Sequence, residues 1–236
     1  MKTILITGAS RGIGFDTALN LCRAKHRIIA VARNSAGLEK LYNAVRNAGY
    51  ADNLIVIPAD ISTRAGVVDL TNRLKEVTPV IDVLVNNAGT LVNKAFKDIT
   101  EEELRGVYEV NLFTPFILTQ SCLSLLKRST SPHIVNIGSM GGLNGSAKFP
   151  GLSAYSSSKG ALAILSEVLA EELKAENIKV NCLALGAAQT EMLEEAFPGY
   201  TAPLTSSKMA EYISWFSIHG AEFFNGKVIP VALSTP

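Results

Sequence analysis

Apolar runs of five to seven residues alternate along this chain with stretches whose apolar positions recur at helical spacing. Lys2–Thr7, Arg27–Ala32, Leu54–Pro58, Asp82–Asn86, His133–Ile137, Lys179–Leu185 and Lys227–Val231 read as strands. These runs are continuously apolar, which requires cover on both sheet faces and so points to a parallel, doubly wound sheet. The intervening helices are expected around Ala18, Leu19 and Leu21, over Ala36–Ala48 and Arg64–Glu76, and again from Phe113 to Leu126 and Ser206 to Phe216. Thr100 and Glu103 form a capping box that opens a helix toward Asn111. Pro115 is tolerated in the first turn of the next helix. Another long helix begins near Tyr155 and runs to about Glu176, where Asn177 suits a left-handed cap.

The 236 residues, 47% of them hydrophobic, are enough to bury a full sheet beneath two helix layers. No linker, repeat or low-complexity tract interrupts them, so residues 1–236 are expected to form a single domain. A formal charge of +1 gives no support for nucleic acid or an anionic membrane as partner. No apolar stretch reaches the ~18 residues of a membrane span, and Met1 leads directly into a strand, so neither a span nor a signal peptide is expected. Cys22, Cys122 and Cys182 are widely spaced and odd in number, which suits small core residues in a reducing cytoplasm. His26, His133 and His219 are isolated and read as surface or strand-edge residues; no metal site is expected.

Candidate chemistry begins after the first strand. Gly8-Ala-Ser-Arg-Gly12-Ile-Gly14 joins that strand to a helix, the arrangement in which backbone N–H groups and a helix N-terminus hold a pyrophosphate. Its Gly-x-x-x-Gly-x-Gly spacing differs from the common Gly-x-Gly-x-x-Gly fingerprint. Tyr155 and Lys159 stand four residues apart at the head of a helix, hence one turn apart on one face. A phenol with a pKa near ~10 releases its proton reluctantly. An ammonium roughly 5 Å away would favour phenolate by about 3 kcal/mol at an effective dielectric near 20, making Tyr155 a working acid/base.

With these residues placed, the chain resembles the short-chain dehydrogenase/reductase family over nearly its full length. Thr7-Gly-Ala-Ser-Arg-Gly-Ile-Gly14 matches the family's cofactor turn, and Asn86-Asn-Ala-Gly89 matches the motif after strand four. Asn111, Ser139, Tyr155 and Lys159 follow in family order. The resemblance implies a Rossmann-like α/β fold of about seven parallel strands. It implies that Tyr155 donates a proton to a carbonyl oxygen during reduction and takes one from an alcohol during oxidation. By the same resemblance Ser139 stabilises that oxygen, in an oxyanion-type role. Lys159 would lower the Tyr155 pKa and bind the nicotinamide ribose, and Asn111 would hold a water linking Lys159 to solvent. Gly8, Ser10, Arg11, Gly12, Ile13 and Gly14 of the turn, with Asn87, Ala88 and Gly89, are the implied cofactor contacts.

Cofactor choice turns on the end of strand two, where a carboxylate would bind the adenosine ribose of NAD. Here the run is Ala32-Arg33-Asn34. Arg33, with Arg11 as a second cation, suits the 2′-phosphate of NADP, so NADP(H) is expected over NAD(H). Asp60 and Ile61 resemble the family pair that contacts adenine.

The chain also departs from the family. Leu185-Gly186-Ala187-Ala188-Gln189-Thr190 has leucine where the family has proline, although Gly186, the Ala188 backbone and Thr190 can still hold the nicotinamide end. Fifteen residues, Met140–Ala154, separate Ser139 from Tyr155, a few more than in many relatives. They carry Leu143, Phe149 and Leu152 beside the pocket. Met192, Leu193, Phe197, Tyr200 and Leu204 of the lid, Glu191–Thr205, either line a greasy pocket or anchor the lid to the core. The C-terminus ends Val231-Ala-Leu-Ser-Thr-Pro236 in place of the usual Asp-Gly-Gly. The expected function is NADP(H)-dependent reduction of a small ketone or aldehyde by a cytoplasmic homodimer or homotetramer. The same site could run as an alcohol dehydrogenase. An alternative of another class is a catalytically weak NADP(H)-binding regulator, against which the intact proton-transfer set argues.

Overall fold

A computed structural model describes residues 1–233. Ser234, Thr235 and Pro236 of the atypical tail lie outside the described residues. The chain begins with β1 (Thr3–Thr7), α1 (Gly12–Arg23), β2 (Arg27–Ala32), α2 (Ser35–Asn47), β3 (Leu54–Pro58), α3 (Arg64–Val77) and β4 (Val83–Asn86). It continues with α4 (Glu101–Tyr108), α5 (Thr114–Leu126), β5 (His133–Ser139), α6 (Ser153–Glu172) and β6 (Lys179–Leu185). A short ribbon of β7 (Ala188–Gln189) and β8 (Leu204–Thr205) brackets the lid helix α7 (Glu191–Ala196), before α8 (Ser206–Phe223) and β9 (Lys227–Val231).

The main sheet has seven strands in the order β3-β2-β1-β4-β5-β6-β9, and every pairing in it is parallel. It is the Rossmann-like architecture that the continuous apolar runs require. One face carries Leu21, Leu38, Leu41 and Phe216 from α1, α2 and α8 against Ile4, Ile6, Ile28 and Val83. The other carries Leu70, Leu118, Cys122 and Ala170 from α3, α5 and α6 against Leu5, Ile29, Leu84 and Ile134. Strand order reverses between β1 and β4, and at such a crossing the C-terminal strand ends part to leave a crevice.

Several local features differ from the sequence reading. β5 runs on to Ser139, so this serine ends the strand and does not follow it. α8 extends to Phe223, seven residues past the expected end at Phe216, because the stretch keeps an apolar face there that stacks Phe216 on Phe224. α4 and α5 are one nearly continuous rod, joined through a π-helical turn at Glu109–Phe113 that holds Asn111. Such wide turns free a residue from the regular ladder and recur at functional sites. The capping box at Thr100 and the left-handed Asn177 are both present as expected.

His133 is neither at the surface nor exposed at an edge. It is fully buried, with Nδ1 3.3 Å from the Ser217 carbonyl and Nε2 3.1 Å from the Asn181 amide, and burial pushes its pKa down to about 4. The three cysteines are free and buried, as their spacing suggests. Among the described residues no cluster could hold a metal ion, and no helix is long and apolar enough to cross a membrane.

Candidate active site

The crevice holds a cavity of about 610 Å³ between the C-terminal strand ends and the lid. Gly8, Ser10, Arg11, Gly12, Ile13 and Gly14 form one wall; Arg33, Asp60 and Ile61 continue it past β2 and β3. Asn87, Ala88, Gly89, Ser139, Tyr155, Lys159, Gly186, Ala188 and Thr190 complete the expected set. Asn111 alone does not reach the cavity and lies just behind it, fully buried.

The glycine turn is held in place by residues beyond the motif. Gly8 has φ +69°, and a Cβ there would come within 2.8 Å of the Ala88 Cα, so only glycine fits. The Asn87 amide donates to the Thr7 carbonyl at 2.8 Å and to the Gly8 carbonyl at 3.2 Å. In return the Thr7 hydroxyl accepts from the backbone N–H of Asn87 at 3.1 Å and of Ala88 at 3.0 Å. Asn87 therefore braces the turn, and Thr7 is its counterpart. The sequence reading assigned Thr7 no role beyond its place in the motif.

The residues fit a dinucleotide. α2, α3 and α4 are capped by the side chains of Asn34, Thr63 and Thr100, whereas α1 opens onto the crevice with no side-chain cap and no acid in its first turn. Uncapped N–H groups at a helix N-terminus suit a pyrophosphate. Farther along the crevice, the Lys159 ammonium lies against the backbone of Gly89, where an added Cβ would stand 3.5 Å from it.

Tyr155 and Lys159 sit in an environment set mainly by burial. The Lys159 ammonium donates to the Ile137 carbonyl at 2.8 Å and stands 6.0 Å from the centre of the Tyr155 ring. Burial raises the Tyr155 pKa, and the neighbouring Ser139 hydroxyl pulls it back down in part. Burial also pushes Lys159 down to about 8. Burial therefore works against the acidification expected from Lys159, because desolvation disfavours the charged form of each group. Ser139 serves two ends, since its oxygen also accepts from the Gly141 N–H at 3.2 Å and closes the turn after β5.

Asn111 is likewise committed to protein contacts. Its carbonyl oxygen accepts from the Thr90 N–H at 2.9 Å, and its amide donates to the Thr90 carbonyl at 2.9 Å and to Ser158 Oγ at 3.0 Å. This side chain ties the π-helical turn to α6 and the loop after β4. Ser158, on the turn of helix between Tyr155 and Lys159, was not legible as a site residue because its partner is 47 positions away.

The cations at the adenosine end have partners already. Arg11 Nη1 lies 2.9 Å from Glu191 and 3.2 Å from Glu195 on the lid helix. Arg33 stands 4.0 Å from Asp60, whose carboxylate also accepts from the Ser62 hydroxyl at 2.6 Å. Arg11, expected as a second cation for a 2′-phosphate, here reaches across the crevice mouth to the lid. Thr190 caps α7 by accepting from Leu193 N–H at 3.2 Å.

A family model of short chain dehydrogenases matches residues 2–201. The chain belongs to the short-chain dehydrogenase family. It is an oxidoreductase of that family with the NAD(P)-binding Rossmann fold. A Pseudomonas aeruginosa rhamnolipids biosynthesis 3-oxoacyl-[acyl-carrier-protein] reductase is 38% identical over 195 residues, covering 81% of this chain and 74% of that one. The Pseudomonas aeruginosa RhlG/NADP active-site complex superposes with TM-score 0.86 at 31% identity, over 98% of this chain and 94% of the other. A Brucella melitensis 3-ketoacyl-(acyl-carrier-protein) reductase complexed with NADH gives TM-score 0.85 at 25% identity, over 98% and 96% of the two chains. Both nicotinamide cofactors therefore occur among proteins of this shape.

Proposed function

We propose that this single-domain short-chain dehydrogenase reduces the carbonyl group of a ketone or aldehyde, with NADPH preferred over NADH and Tyr155 as the proton donor. The observation that carries this reading is the Tyr155 phenol at the cavity wall, beside Ser139 and held in its protonated form by burial. A protonated phenol is the form needed to give a proton to a carbonyl oxygen; oxidation would need phenolate. The bound nicotinamide supplies the hydride. Ser139 donates to the carbonyl oxygen and stabilises the charge that grows on it. Lys159, kept in place by the Ile137 carbonyl, holds the nicotinamide ribose and replaces the proton that Tyr155 gives up. Asn111 fixes Ser158 and so the helix turn between Tyr155 and Lys159.

The glycine turn and the α1 N-terminus hold the pyrophosphate, and Gly186, Ala188 and Thr190 hold the carboxamide end. Asp60 and Ile61 receive the adenine. NADPH preference rests on Arg33 and on the lack of an acid at the end of β2, supported by the NADP complex of the RhlG relative. The buried free thiols suit a reducing cytoplasm. Ile164 and Val168, one turn apart on α6, are exposed, as are Phe113 and Phe116, and such exposed apolar side chains suit a homo-oligomer contact. Light scattering tests that contact, and a monomer at working concentration would count against it.

The activity is tested by NADPH oxidation against a panel of small diketones, quinones and alkanones, repeated with NADH. Turnover with NADPH exceeding that with NADH is expected. Binding of NADPH without turnover across the panel would overturn the carbonyl-reduction reading.

A further inference from the structure

The half of the cavity beyond Ser139 and Tyr155 has a composition that restricts what can enter it. Its walls are Leu91, Met140, Phe149, Leu152, Leu193 and Phe197. The charged residues around the cavity are engaged elsewhere. Arg11 pairs with Glu191 and Arg33 with Asp60 toward the cofactor wall, while Lys159 is turned onto the Ile137 carbonyl. A ligand flank in the apolar half would meet no side-chain cation to receive a carboxylate.

Two aromatic rings from segments about fifty residues apart close this half. Phe149, from the long connection between β5 and α6, meets Phe197, at the end of the lid helix, edge to face at 6.4 Å and 68°. Both segments are pinned. The Asn93 amide donates to the Ala196 carbonyl at 2.7 Å, next to Phe197. The Lys94 N–H donates to the Gly151 carbonyl at 3.1 Å, two residues from Phe149. Gly151 has φ +89°, and a Cβ there would strike the Asn93 side chain, so the loop after β4 seats both halves of the pair. Of the apolar lid residues, Met192, Leu193, Phe197 and Tyr200 therefore line the pocket, whereas Leu204 packs against the core.

We infer that the Phe149–Phe197 pair is the specificity surface of this site and that it selects uncharged carbonyl compounds with an extended apolar flank, against carboxylated or polyhydroxylated ones of the same size. An apolar flank gains by leaving water, whereas a carboxylate or a row of hydroxyls would lose its hydration with nothing to replace it. The inference rests on the carbonyl-reduction reading of the same cleft.

Isothermal titration of the NADP⁺-loaded protein with 2-alkanones from butanone to 2-octanone reads binding without turnover. Affinity should rise about fourfold per added methylene. 4-Oxopentanoate should bind about tenfold or more weakly than 2-hexanone. Phe149→Ala and Phe197→Ala should each flatten the rise to under about twofold per methylene, and Phe149→Leu and Phe197→Leu, which keep the apolar volume, should restore part of it. A flat series, 4-oxopentanoate binding as tightly as 2-hexanone, or a slope unchanged in both alanine variants would overturn the inference. NADPH oxidation on the same ketones separates the two claims. Ketones that bind with the expected slope but are not reduced would refute carbonyl reduction alone, and ketones reduced without any slope would refute the selectivity alone.

Discussion

Lys159 stands one helical turn from Tyr155, with its ammonium 6.0 Å from the ring centre and hydrogen-bonded to the carbonyl of Ile137, two residues before the end of β5. The lysine is thus anchored to the sheet while the tyrosine faces the cavity. Burial brings its pKa down to about 8, so its charge is complete below that pH and is lost above it. Cofactor affinity should accordingly weaken as pH rises from 7 to 9. In Lys159→Arg, whose cation does not titrate there, the loss should be flattened. Fluorescence titration of NADPH across that range checks this; parallel profiles for both proteins would count against a role for the lysine charge.

Arg11 is shared between Glu191 and Glu195, both exposed. Exposed pairs of this kind contribute only about 0.2–1 kcal/mol each, so a cofactor phosphate can compete for the guanidinium. Glu191→Gln with Glu195→Gln frees Arg11 and removes two negative charges from the crevice mouth. NADPH affinity should rise about two- to tenfold, more than NADH affinity, when the two are titrated side by side. Equal gains for both cofactors would place Arg11 away from the 2′-phosphate. Arg33→Ala should lower NADPH affinity and leave NADH nearly unchanged.

Thr7→Val keeps the shape of the side chain but removes the oxygen that accepts from Asn87 and Ala88. Two part-buried N–H groups lose their partner, at a cost of roughly 1–3 kcal/mol each before any relaxation. The expected result is a lower melting temperature together with weaker NADPH binding, because the same bonds brace the glycine turn. Unchanged cofactor affinity would show that the turn holds its shape without Thr7.

His133 sets a stability window. Its folded pKa of about 4 lies below the ordinary 6.5, so between those values the unfolded chain binds a proton that the folded chain refuses. Stability should therefore rise with pH across that window, by roughly 3 kcal/mol in all from this group, and be fully present above it. Urea unfolding measured at intervals from pH 4 to 7 reads the slope. His133→Gln should lower stability at pH 7 and flatten the slope; an unchanged slope would assign it to other groups.

The parts of this molecule that were legible in the sequence are those set by local spacing. Continuous apolar runs gave the strands, the Thr100–Glu103 box gave a helix start, and the Tyr155–Lys159 interval gave a shared helix face. Residues whose behaviour depends on distant partners were not legible. Arg11 looks like a free cation until Glu191 folds over it 180 positions later. His133 looks exposed until Asn181 and Ser217 are seen to enclose it. The sign of the Tyr155 shift needed the depth of its burial, which a four-residue interval does not contain. β7, β8 and α7 are too short for periodicity to mark them.

Single-turnover reduction of a ketone that the wild-type protein accepts, compared in wild type and Tyr155→Phe after both are saturated with NADPH, tests the central claim most directly. The account predicts NADPH affinity within about twofold and hydride transfer slowed about 10²–10⁴-fold in the variant. Hydride transfer at the wild-type rate without the phenol hydroxyl would contradict it.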